Sequence, residues 1–168
     1  MEGHPDDTLE GPLGDLTERR RALRANPYEK QPSRHIASAH SLGPMRWLVD
    51  GMNVIGTRPD GWWDDRHAAM VRLVDLLERW AAYGGEDVTV VFEQPPRPPI
   101  RSTVIVVAHA PRPRRDSADD EIVRLLKAEP EPGLVRVVTS DHWLSDRVHA
   151  EGASVEPSEW FRGQIEAA

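Results

Sequence analysis

From Arg46 onward, two hydrophobic periods take turns along the chain. Short apolar runs at Arg46–Asp50, Val88–Glu93, Thr103–Ala108 and Leu134–Thr139 predict four strands, with a brief fifth around Ser154 and Val155. Val88–Phe92 is almost unbroken in its apolar character, which suits a strand covered on both faces. Between these runs the spacing becomes helical. Over Asp64–Tyr83, Met70, Leu73, Val74, Leu77 and Ala81 fall on one stripe, and Gly84-Gly85 supplies the stop. A second helix is predicted from Ser117 to Ala128, with Ala118, Ile122, Leu125 and Leu126 inward. A third covers Asp141–Ala150 and ends at Gly152, and a last one starts at Ser158. Strand and helix alternating over this length predict a three-layer α/β domain with a mainly parallel sheet. No internal repeat is visible.

The N-terminal quarter has no such pattern. Residues 1–44 mix Gly, Pro and charge, as in Gly11-Pro12-Leu13-Gly14, and offer little apolar surface to bury. Leu16–Ala25 is either a short basic helix around Arg19, Arg20, Arg21 and Arg24 or part of a solvated tail. Met45 stands directly before the first strand. It is the expected native start, with residues 1–44 an upstream extension and 45–168 the folded domain.

Composition narrows the chemistry. With no cysteine among 168 residues, a disulfide scaffold, a thiolate nucleophile and a cysteine zinc site are excluded. No apolar run is long enough for a membrane span and no secretory signal is evident, so a cytoplasmic location is expected. A net charge of -7 means that any nucleic-acid contact must use a local basic patch.

In a parallel sheet, ligands gather beyond the carboxyl ends of the strands. Four segments carry acids to that edge: Asp50 after Trp47-Leu48-Val49, Glu93 after Val91-Phe92, Asp116 to Asp120 before a helix, and Asp141 after Thr139-Ser140. Each has a structural explanation. Asp50-Gly51 is a common turn pair, with Gly51 allowing a sharp bend, and Asn53 is either a second turn residue or an orienting group for Asp50. Ser117 and Asp120 fit a helix cap with an acid three residues on, which leaves Asp116 and Asp119 unexplained. Ser140 or Asp141 can cap the next helix, and Glu93 is equally a solvated strand end. Crowded carboxylates resist ionisation unless a cation joins them, so the economical explanation of all four together is a divalent-metal site.

In combination, Val49-Asp50-Gly51-Met52-Asn53, Val91-Phe92-Glu93, Ser117-Ala118-Asp119-Asp120-Glu121-Ile122 and Val138-Thr139-Ser140-Asp141 resemble the NYN domain family. The YacP-like branch, within the PIN-like and FLAP-nuclease-like fold, is the most similar. This resemblance spans Arg46 to about Phe161. It implies a five-stranded parallel sheet in an α/β/α sandwich and metal-dependent RNA cleavage; a metal-activated water attacking in line would leave a 5′-phosphate and a 3′-hydroxyl. By position, Asp50, Asp119 and Asp141 would hold Mg²⁺ or Mn²⁺. Asn53, Asp116 and Asp120 would assist, and Ser140 would hold a water or a carboxylate. Glu93 is not assigned as a ligand, because the family varies there.

The expected partner is RNA in unpaired regions, with ribosome association a further possibility. Arg112, Arg114 and Arg115 lead into the acidic helix start and, with Arg97 and Arg101, either hold phosphates or form a solvated Arg-Pro loop. Trp62 and Trp63 either stack on splayed bases or pack on the first helix, whereas Trp80 and Trp160 are expected in the core. His67, His109, His142 and His149 lack zinc-like spacing. Two other functions fit the acidic edge: a Mg²⁺-dependent small-molecule phosphohydrolase and a non-catalytic RNA- or ribosome-binding module. The phosphohydrolase lacks its D-x-D signature, because Met52 stands two residues after Asp50.

Overall fold

The computed structural model describes residues 45–168. The expectations for residues 1–44, including a basic helix at Leu16–Ala25, lie outside the described residues. Five strands form one parallel sheet in the order β3-β2-β1-β4-β5. They are β1 (Arg46–Asp50), β2 (Asp87–Phe92), β3 (Val106–His109), β4 (Val135–Val138) and β5 (Ser154–Glu156). Five helices connect or follow them: α1 (Gly51–Ile55), α2 (Arg66–Gly84), α3 (Ser117–Lys127), α4 (His142–Ala150) and α5 (Ser158–Glu166).

Strand alternation divides the core into two layers. Trp47 and Val49 of β1, with Val88, Val90 and Phe92 of β2, pack under α1, α2 and α5. Leu48 and Val91 point the other way and join Val135 and Val137 beneath α3 and α4. The predicted stripe of α2 is the buried one, from Met70 to Ala81. Gly85 ends that helix at φ 68°, a left-handed conformation that glycine adopts without steric cost. On the first layer Trp47, Trp80 and Phe161 form an aromatic cluster with centroids 5.1–5.4 Å apart. Trp160, expected in the core, is 45% exposed, because its neighbour Phe161 takes the inward position on α5.

Several element bounds differ from the sequence reading. Gly51–Ile55 is a helix, too short to display a period. The third strand begins at Val106 rather than Thr103, since the Ser102 hydroxyl oxygen accepts from the amides of Val104 and Ile105 at 3.0 Å each. This local turn competes with the sheet ladder. Leu134 belongs to a 3-10 turn, Pro132–Leu134, rather than to β4. Asp64 and Asp65 precede α2, with Asp65 capping it through the Ala68 amide at 2.9 Å. Among the described residues no helix is long and apolar enough to cross a membrane.

Candidate active site

Because β1 is the middle strand, its carboxyl end lies between those of β2 and β4. Asp50 is the last residue of β1, and the chain turns straight into α1. Gly51 is required here for space rather than for bending. A Cβ on it would lie 2.5 Å from Cε1 of Phe92, so the helix start rests directly on that ring. The Asp50 carboxylate accepts from the Thr139 hydroxyl at 3.2 Å and, more weakly, from the Asn53 amide at 3.4 Å.

Asn53 acts mainly elsewhere. Its side-chain oxygen accepts from the Ser140 amide at 2.9 Å and the Ser158 hydroxyl at 2.5 Å. It therefore ties α1 to the end of β4 and the start of α5. Ser140 completes this brace, its hydroxyl accepting from the Ser158 amide at 3.0 Å. Asp141 caps α4 through the Leu144 amide at 2.8 Å.

The start of α3 departs from the expected cap. Asp116, not Ser117, occupies the cap position, in a left-handed conformation (φ 59°) and without a capping hydrogen bond. An aspartate tolerates that region better than most residues, though not freely. The Ser117 hydroxyl instead donates to the carbonyl of Glu93 at 3.1 Å and accepts from the Arg114 amide at 3.3 Å. This fastens the helix start to the end of β2. Asp116, largely exposed, lines the acidic edge.

Together these elements enclose a small cavity of about 210 Å³, lined by Asp50, Asn53, Glu93, Asp116, Asp119 and Asp141, with Met52 and Ala118. Five carboxylates thus line one cavity. Glu93, which the sequence placed at this edge without assigning it as a ligand, is among them, because β2 pairs directly with β1. Asp50 is 6% exposed and Asp119 is 8% exposed. Burial, then the neighbouring Asp119, pushes the Asp50 carboxyl up to about 7, against the lowering effect of the Asn53 amide and Thr139. Burial, then Asp141 and Asp116, raises Asp119 to about 6.

Asp120 behaves differently. It pairs with Arg114 and, at 3.0 Å, with Arg147, and these contacts hold its carboxyl below the usual range, the Arg147 hydrogen bond most. It lines two neighbouring depressions but not the acidic cavity. Arg115 approaches Asp116 at 3.9 Å. Asp50 and Asp119 are left without an ion-pair partner among the described residues.

The candidate substrate residues divide likewise. Arg114 and Arg115 border a depression of about 510 Å³ that shares Asp116, Asp119 and Asp141 with the acidic cavity. Arg112 lies one step further out, in a cavity with Arg114 and Asp120. Trp62 packs half-buried against the first core layer, with Arg66 5.9 Å over its ring, and Trp63 is exposed and meets Trp62 edge-on. Neither tryptophan lines the acidic cavity. Trp143, passed over in the sequence, does face the neighbouring depression.

The donor set suits a hard cation: it is all oxygen, and burial holds two of its members, Asp50 and Asp119, toward the neutral form. Among the described residues no three His, Asp or Glu side chains stand close enough to enclose one ion.

A parallel sheet of this order, with acids gathered at the carboxyl edge of its middle strands, defines a nuclease-like domain of the PIN-like class. Within that class, the chain belongs to the YacP-like NYN domain family, whose sequence profile matches residues 47–168. Two crystal structures of Rae1 (YacP) from Bacillus subtilis share the fold. One, of a point mutant, has a TM-score of 0.60 at 23% identity, covering 73% of this chain and 75% of that one. The other has a TM-score of 0.59 at 22% identity, covering 72% and 73%. No curated protein sequence matches the chain.

Proposed function

We propose that this domain is a divalent-metal-dependent endoribonuclease that hydrolyses RNA phosphodiester bonds at the acidic cavity. The observation that carries this reading is the pair Asp50 and Asp119. Both are buried, both are pushed toward the neutral form, and among the described residues neither has an ion-pair partner. Burial of two such groups opposes their ionisation at neutral pH by more than the Thr139 and Asn53 hydrogen bonds to Asp50 offset, which is how functional carboxylates behave.

Mg²⁺ or Mn²⁺ here would take one or two of Asp50, Asp119 and Asp141 directly and reach the rest through waters, with Asp116 and Glu93 on the same walls. A bound divalent ion supplies Lewis-acid activation of water and neutralises charge developing at the phosphate. The chain's own residues prepare for this. Thr139 and the Asn53 amide fix the Asp50 carboxylate, and the Leu144 amide fixes Asp141. Because ligating carboxylates must be ionised, a cation bound here would favour the deprotonated forms of Asp50 and Asp119. Arg114 and Arg115, at the neighbouring depression, would receive flanking phosphates and offset the chain's negative charge.

The test is cleavage of labelled single-stranded RNA, structured RNA and single-stranded DNA by the full chain in Mg²⁺, Mn²⁺ or EDTA. Internal cuts that leave 5′-phosphates, present with metal and absent in EDTA or with Asp119→Asn, are expected. Cleavage that survives EDTA, or both Asp50→Asn and Asp119→Asn, would overturn the reading. RNA binding without cleavage in either metal would favour a non-catalytic RNA-binding module.

A further inference from the structure

We propose that Trp143 is a stacking platform for one unpaired nucleobase of the RNA, seated beside the acidic cavity. This rests on the endoribonuclease reading and names a contact that reading leaves open. Trp143 stands on the first turn of α4, two residues beyond Asp141, and is 59% exposed. An indole is usually buried, and its exposure beside a polar cleft calls for a reason. Its ring borders the depression that also holds Arg114 and Arg115, and that depression shares Asp116, Asp119 and Asp141 with the acidic cavity. An aromatic face, two guanidinium groups and the candidate reaction centre therefore adjoin one another. Single-strand binders combine these two elements: cationic groups follow the phosphates while bases stack on aromatic rings.

The ring is also held in place before any ligand arrives. The Arg147 guanidinium lies 4.4 Å from its centroid, and Arg147 is itself anchored by Asp120 at 3.0 Å. Asp120 thus acts as a positioning residue for the platform, through Arg147. Pre-orientation lowers the entropy lost when a base docks. A paired duplex would hide its base faces, so the occupant is an unpaired segment.

The experiment measures binding separately from cleavage. Fluorescein-labelled single-stranded RNA is titrated with the full chain in EDTA, followed by anisotropy over a range of salt concentrations. Trp143→Ala should weaken binding about ten-fold, and Trp143→Phe should restore most of it. The slope of log Kd against log salt should not change, since no phosphate contact is lost. Trp160→Ala, altering an exposed tryptophan outside these cavities, should bind as the unaltered chain does. RNA should also quench the tryptophan fluorescence of the unaltered chain more than that of Trp143→Phe. If the unaltered chain binds and cleaves RNA while Trp143→Ala binds equally well, the platform is refuted and the nuclease reading stands. If the unaltered chain neither binds nor cleaves RNA, the nuclease reading fails and the platform with it.

Discussion

Replacing Asp50 by Asn should make the metal-free protein more stable at alkaline pH while removing its activity. Asp50 has its ordinary value of 3.8 raised to about 7 in the folded chain. The folded state therefore binds this proton more tightly than the unfolded state does. The protein loses stability as pH rises from about 4 through about 7. A rise from 3.8 to about 7, at about 1.36 kcal/mol per pH unit, sets this loss at about 4 kcal/mol once both states are ionised. Near pH 5 only about 1.5 kcal/mol of it has been incurred. An asparagine escapes the loss at every pH. Its oxygen can keep one of the bonds from Thr139 or the Asn53 amide, but its new NH₂ is buried, costing about 1–2 kcal/mol if unpaired. The expected net gain is about 2 kcal/mol near pH 8 and about zero near pH 5. Urea unfolding in EDTA at the two pH values reads both. A variant equally destabilised at both, or an unaltered chain whose stability is flat across this range, would refute the reasoning.

Three further outcomes follow from the same geometry. Gly51→Ala forces a methyl group into the Phe92 ring and should cost about 1–3 kcal/mol in urea unfolding. Asn53→Ala removes the acceptor of the Ser140 and Ser158 bonds and should cost about 1–3 kcal/mol, with a drop in cleavage rate as the Asp141 segment loosens. In single-turnover cleavage Asp119→Asn should reduce the rate by about a hundred-fold or more. Asp120→Asn, whose carboxylate is already engaged by two arginines, should reduce it by less than about ten-fold.

The layers of this fold were legible in the sequence because burial writes a period into a chain. The α2 stripe and the apolar run of β2 are where the pattern placed them, give or take a residue at the ends. Other features depend on contacts that no local pattern records. Glu93 fitted a solvated strand end as well as the acidic edge until β2 was set beside β1. Ser117 looked like a cap, but its hydroxyl is drawn across to the Glu93 carbonyl, which leaves Asp116 in the cap position. Asp120 was expected to cap the helix and to assist Asp119. One residue of helical rotation turns it to Arg114 and Arg147 instead of the cavity. Trp160 and Trp143 show the same limit, since exposure of an aromatic residue is set by which neighbour occupies the inward position.

The most direct test of the acidic cavity as a cation site is calorimetric titration of the full chain with Mn²⁺ near pH 6.5, in buffers of differing ionisation heat. With Asp50 raised to about 7 and Asp119 to about 6, binding should release about one proton per ion. Asp50→Asn or Asp119→Asn should weaken or abolish both the binding and the release. Mn²⁺ binding without proton release and unchanged by either substitution, or no binding at all, would contradict the assignment.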